Sequence, residues 1–152
     1  GQVASSVDIM PTLLEACSMD IPDSVQGQSL FQILKGEIKS LKKNHAFIET
    51  SSSSTGDHLT EIGVRTPTHV LGLCLDKEKH EIVERTGSMY DLRFDPYQQH
   101  DLFSLESHIE LKSQLLNILK TWHKETKWLK SSDSGTDRTK FFDHSGFSLT
   151  TN

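Results

Sequence analysis

Residues 62–85 read Ile62-Gly63-Val64-Arg65-Thr66-Pro67-Thr68-His69-Val70-Leu71-Gly72-Leu73-Cys74-Leu75-Asp76-Lys77-Glu78-Lys79-His80-Glu81-Ile82-Val83-Glu84-Arg85, and they decide the fold class. Three runs rich in Val, Ile and Leu, at 62–65, 69–75 and 81–85, are joined by short polar or proline-bearing links. That spacing predicts strands paired as hairpins, with Asp76-Lys77-Glu78-Lys79 as a polar turn. Upstream, Ala46-Phe47-Ile48-Glu49-Thr50 reads as a further strand, and Ser51 to Ser54 with Thr55-Gly56-Asp57 reads as a flexible loop because nothing in it can pack. Downstream, Met89-Tyr90-Asp91-Leu92 adds a short segment that Asp95-Pro96 ends, since proline disfavours helix for the residue before it.

Helices flank this sheet. Ser107-His108-Ile109-Glu110 has the spacing of a capping box and opens the longest helix, in which Leu111, Leu115, Ile118, Leu119 and Trp122 share one face. At the other end, Asp8 is placed to cap a helix that carries Pro11 in its first turn, where the N–H groups have no intrahelical partner. Ile9, Met10, Leu13, Leu14 and Cys17 give it an apolar stripe. Ser29 caps a second short helix, Leu30 to Lys35, which Gly36 stops. The expectation is an α+β fold: a small antiparallel sheet of about four strands, covered by a long C-terminal amphipathic helix and preceded by two short helices. Residues 131–152 fall to Ser, Thr, Asp and Gly and read as a mobile tail or one late docked segment.

Composition narrows the function classes. At 152 residues the chain fits one ordinary domain. Its 34% hydrophobic share is low against the roughly 45–50% apolar usage of a globular domain, so polar tails dilute the core or part of the packing partner is missing. The net charge of −5 has no basic face and argues against nucleic acid. No apolar run approaches the roughly 18 residues of a membrane span. Cys17 and Cys74 form no metal-ligand spacing and read as small buried hydrophobes. The compartment stays open.

Chemistry is scarce. No G-x-S-x-G elbow, H-E-x-x-H frame or glycine-rich phosphate loop is present, and the eight histidines are scattered. The acidic pairs Asp57/Glu61 and Asp91/Asp95 lie in a loop and in a turn, where Asp is favoured for local backbone hydrogen bonds. No catalytic or metal site is expected of this chain by itself.

Three segments, in order, resemble the C-terminal third of the sulfatase family: Val7-Asp8-Ile9-Met10-Pro11-Thr12-Leu13-Leu14; Gly27-Gln28-Ser29-Leu30 with Leu34 and Gly36; and Met89-Tyr90-Asp91-Leu92-Arg93-Phe94-Asp95-Pro96 followed by Asp101-Leu102. Val64-Arg65-Thr66 falls where the family carries a V-R-T strand. Departures are Ser18 where the family has Gly after the first helix, Gln99 for Glu, Asp101 for Asn, and Thr68-His69-Val70 in place of a Tyr-Lys pair.

The resemblance implies a C-terminal fragment of a sulfuric ester hydrolase. Residues 1–43 would be the edge of an α/β domain otherwise missing, 44–130 a C-terminal subdomain bordering the substrate cleft, and 131–152 a polar tail. The family's formylglycine nucleophile and calcium site precede these segments, so neither is carried over. The partners implied are the N-terminal catalytic domain and a sulfated small molecule or glycan. Arg65 and His69 are the cleft candidates. Asp8, Pro11, Thr12, Gly27, Ser29, Tyr90, Asp91, Asp95 and Pro96 read as structural, with Tyr90 packed under the sheet. The apolar face of Ile9, Met10, Leu13 and Leu14 would be meant for a missing sheet. Two alternatives remain: a non-catalytic interaction module of sulfatase descent, and a piece of a related phosphonate or phosphate monoester hydrolase. A secreted, lysosomal or periplasmic parent would each be compatible.

Overall fold

The computed structural model describes residues 1–50, 59–76 and 78–126. Four strands, β1 (Ala46–Thr50), β2 (Leu59–Arg65), β3 (His69–Asp76) and β4 (Glu81–Asp91), form one antiparallel sheet in the order β1-β2-β3-β4. The expected α+β class is thereby confirmed, with helices α1 (Ile9–Ala16) and α2 (Phe31–Leu34) before the sheet and α3 (Ile109–Glu125) after it. The serine run 51–54 and the tail 131–152 lie outside the described residues.

Alternation along the strands sorts the sheet into two faces. Ile62 and Val64 of β2, Leu71, Leu73 and Leu75 of β3 and Met89 of β4 meet Leu115 and Leu119 of α3, with Phe103 completing the core. Leu111, Ile118 and Trp122 pack at its border, as the helical spacing predicts, and Trp122 stacks on Phe47 of β1 with ring centroids 4.6 Å apart. The opposite face carries Ala46, Arg65, Val70 and Tyr90 in one row, by the register that pairs Ala46 with Arg65, Arg65 with Val70 and Val70 with Tyr90.

Three sequence expectations are corrected here. First, 81–85 and 89–92 are not separate segments: β4 runs through both. Its register jumps from Val83 opposite Cys74 to Gly87 opposite Leu73, so residues 84–86 bulge and interrupt the period of two. Gly87 is required beyond the bulge, because a Cβ there would lie 2.5 Å from the Gly72 carbonyl oxygen and 2.9 Å from the Phe103 ring. Second, Tyr90 is half-buried on the face away from α3, and Met89 is the residue driven into the core. Third, Ser107 does not cap α3. A 3-10 turn, Glu106–His108, precedes the helix, and the Ser107 hydroxyl contacts His108 Nδ1 at 2.9 Å instead.

The N-terminal unit is held by Asp8, again not as foreseen. Its carboxylate makes no cap to α1; Oδ2 accepts the Ser5 N–H at 2.8 Å and Oδ1 the Gln28 N–H at 2.9 Å. Thr12 donates its hydroxyl to the Asp8 carbonyl at 2.6 Å and accepts the Leu30 N–H at 2.9 Å. Gly27 lies so close to Val7 that a Cβ would sit 2.0 Å from the Val7 carbonyl oxygen. Pro11 is buried, and the Ser29 hydroxyl accepts the Phe31 N–H at 3.2 Å at the start of α2. One latch therefore joins the first two motifs read from the sequence.

Candidate functional site

The antiparallel order brings the end of β2, the start of β3 and the end of β4 to one end of the sheet, and both cleft candidates lie there. The β2–β3 turn is stitched by Thr66, whose hydroxyl accepts the His69 N–H at 2.9 Å. Thr68 accepts the Leu92 N–H at 2.8 Å through its carbonyl, which ties this turn to the segment following β4.

His69 is 8% exposed. Its Nε2 lies 3.4 Å from Asp91 Oδ2 and its Nδ1 lies 2.9 Å from the Thr68 hydroxyl. An ionised carboxylate can only accept, so the neutral ring carries its proton on Nε2 and accepts the Thr68 hydroxyl at Nδ1. Burial pushes the imidazole below its ordinary 6.5; Asp91 opposes that shift, and Arg93 and His108 reinforce it. Asp91 is shared: Arg93 donates from Nε to Oδ1 at 3.0 Å and from its terminal nitrogen to Oδ2 at 2.6 Å. This bidentate guanidinium is the main reason the Asp91 carboxyl is held far below 3.8.

The next turn is built the same way. Asp95 accepts the backbone N–H groups of Gln99 at 3.0 Å and His100 at 2.7 Å, and these hold its carboxyl below 3.8. Gln98 donates its N–H to the Asp95 carbonyl across Pro96, which sits at the turn position its fixed φ suits. Asp101 Oδ1 accepts both the Met89 and Phe103 N–H groups at 2.9 Å, so the departure from Asn keeps an acceptor in place.

The structure does not bring Arg65 and His69 together. They point to opposite faces, His69 toward α3 beside Asp91 and Arg65 outward beside Val70, where it is exposed. The role of Arg93 was missed, although a residue two positions past an Asp at a strand end is a recognisable signal for such a pair.

Two further surfaces stand out. A groove of about 830 Å³ separates the N-terminal unit from the sheet, lined among others by Gln28, Lys43, His45, Phe47 and Trp122. On α1, Ile9, Met10 and Leu13 are exposed, Leu13 at 61%, around a shallow depression reaching Cys17 and Met19. Cys17 is exposed rather than buried; Cys74 is half-buried, and both are free thiols. Among the described residues no group of three or more His, Cys, Asp or Glu side chains is arranged to hold a metal ion. No C/S-x-P-S-R motif occurs in the chain. Neither a calcium site nor the residue that is converted to formylglycine is found among the described residues.

Comparison with known proteins agrees with this layout. The family described as N-sulphoglucosamine sulphohydrolase, C-terminal, matches residues 1–125. An N-acetylglucosamine-6-O-sulfatase of Bacteroides thetaiotaomicron is 24% identical over 132 residues, 82% of this chain; the chain spans only 22% of that protein's length. Among solved structures, one complexed with its substrate D-glucosamine-2-N,6-O-disulfate is 22% identical with a TM-score of 0.61, covering 77% of this chain and 23% of the other. A 2-O GAG sulfatase is 25% identical with a TM-score of 0.55, covering 78% and 25%. The chain belongs to the N-sulphoglucosamine sulphohydrolase C-terminal family, whose model covers residues 1–125.

Proposed function

We propose that this chain is the C-terminal subdomain of a sulfuric ester hydrolase, that it docks through α1 on an N-terminal α/β catalytic domain, and that its sheet end forms part of the substrate-cleft wall. The observation that carries this reading is the uncovered apolar face of α1. Val7, Ile9, Met10 and Leu13 are each more than half exposed while Asp8 and Pro11 beside them are buried. Burying a Leu, Ile or Met side chain is worth roughly 1.5–3 kcal/mol, so this face gains most when a partner covers it. The names of the relatives support the sulfate ester as the bond cleaved. Calcium and formylglycine belong, on this reading, to the catalytic domain. Arg65 is the cleft-wall residue; His69 supports the wall through Asp91.

The test assays the protein that carries residues 1–152 on an aryl sulfate and an aryl phosphate side by side. Sulfate release that exceeds phosphate release is expected, and the reverse order would move the assignment to a phosphate or phosphonate monoester hydrolase. Leu13→Glu is expected to leave the circular dichroism of residues 1–152 unchanged and to reduce the activity of the whole protein. Sulfate release by residues 1–152 alone would refute the proposal.

A further inference from the structure

The groove between the N-terminal unit and the sheet follows the outer edge of β1. His45, Ala46 and Phe47 line it in succession, so it runs beside the strand and not over one face alone. Among the described residues β1 pairs with β2 only, and its other edge therefore offers unpaired main-chain N–H and C=O groups. Asp23 stands on the opposite wall, and Trp122 and Thr126 close the groove at the end of α3. The sheet-side wall is aromatic: Phe47 stacks on Trp122, and the His45 ring meets Phe47 edge-on with centroids 5.2 Å apart.

Charge on these walls is lopsided. Asp23, Glu49 and Glu125 have no cationic partner among the described residues, and against them stands a single ammonium group, that of Lys43. An acidic groove with an aromatic wall fits a short basic segment that carries a large apolar side chain. The chain supplies one where α3 stops. Thr126 leaves the helix in extended conformation, at φ −74° and ψ 129°, while its N–H and hydroxyl both donate to the Trp122 carbonyl, at 2.9 and 2.8 Å. Its direction of exit is thus fixed at the mouth of the groove. The next four residues, Lys127-Trp128-Leu129-Lys130, lie outside the described residues and past residue 125, where the family match ends. Extended, four residues reach about 13–14 Å.

We propose that Lys127-Trp128-Leu129-Lys130 fold back along the edge of β1 into this groove, with Trp128 against Phe47 and Trp122 and the lysine ammonium groups toward Asp23 and Glu49. The segment is then a strap that ties the N-terminal unit to the sheet and holds α1 at a set angle to β1. The strap is independent of which ester the parent protein cleaves.

The test is amide hydrogen exchange, followed by mass spectrometry, in the protein that carries residues 1–152 and in its Trp128→Asp variant. Trp128→Asp is expected to speed exchange in residues 45–50 and 24–28 about tenfold and to leave residues 115–119 of α3 unchanged. Unchanged exchange in either 45–50 or 24–28 overturns the strap and leaves the groove to another occupant, such as a segment of the catalytic domain. If 115–119 speeds up as well, the decision passes to Asp23→Asn combined with Glu49→Gln, which removes two wall charges and leaves the segment intact. Trypsin is then expected to cut after Lys127 and Lys130 about tenfold faster than in the unsubstituted protein, because released segments are cleaved from their open form. An unaltered cleavage rate overturns the strap.

Discussion

The Asp8 carboxylate accepts the backbone N–H of Gln28, 20 residues away, at 2.9 Å, and so closes the loop between α1 and α2. With its other oxygen on the Ser5 N–H and only 5% of the residue exposed, Asp8 satisfies two half-buried donors. Asp8→Ala is expected to destabilise the fold by about 2–4 kcal/mol, read from urea unfolding, because buried N–H groups left unpaired cost about 1–3 kcal/mol each. Gly27→Ala is expected to lower the unfolding midpoint as well, since its Cβ cannot coexist with the Val7 carbonyl. An unaltered midpoint in both variants would remove the latch.

Helix α1 ends in a Schellman motif whose left-handed position is occupied by Ser18. The Met19 N–H reaches the Leu14 carbonyl and the Ser18 N–H reaches the Glu15 carbonyl, both at 2.9 Å, with Ser18 at φ 55°. A side chain there is strained, and glycine is the residue the sulfatase resemblance places at this point. Ser18→Gly is expected to stabilise the protein by about 0.5–1 kcal/mol, seen as a higher Tm.

Burial separates two leucines of the same chemistry. Leu119 is fully buried in α3 and Leu34 in α2 is 73% exposed. Leu119→Ala is expected to cost about 2–5 kcal/mol through lost contacts and a residual cavity, whereas Leu34→Ala stays within about 0.5 kcal/mol. Comparable losses from the two substitutions would mean that α3 is not the lid of the core.

The buried His69 links stability to pH. Its folded pKa lies below 6.5, so near and under that pH the unfolded chain binds more protons than the native one. Its contribution is whole above pH 6.5 and is lost as pH falls through the lowered value; His45 and His123, also shifted down by burial, act in the same direction. Asp91 has the same sign in a far more acidic window, because its carboxyl stays ionised until well below 3.8. His69→Gln is expected to flatten the dependence of the urea midpoint between about pH 5 and 7. A dependence as steep as in the unsubstituted protein would assign it to other groups.

What the sequence determined by itself was the set of elements and their order. Alternating Val, Ile and Leu in 62–75 and the helical spacing from Leu111 to Trp122 are local patterns, and each survives into the structure because burial rewards the same period that the backbone imposes. The α1 stripe and the three motif segments were legible as local patterns too, although the α1 stripe stays exposed. The tertiary structure decided the rest. Whether Tyr90 or Met89 entered the core depended on the register across the bulge opposite Leu73 and Cys74, which a one-residue slip would invert. Asp8 looked like a helix cap because capping is a local role, yet its partner is Gln28, which becomes a neighbour only when the chain folds back. Arg65 and His69, four residues apart, diverged because side chains alternate across a strand while the intervening turn resets the phase. The placing of Arg65 opposite Ala46 likewise exists only after antiparallel pairing.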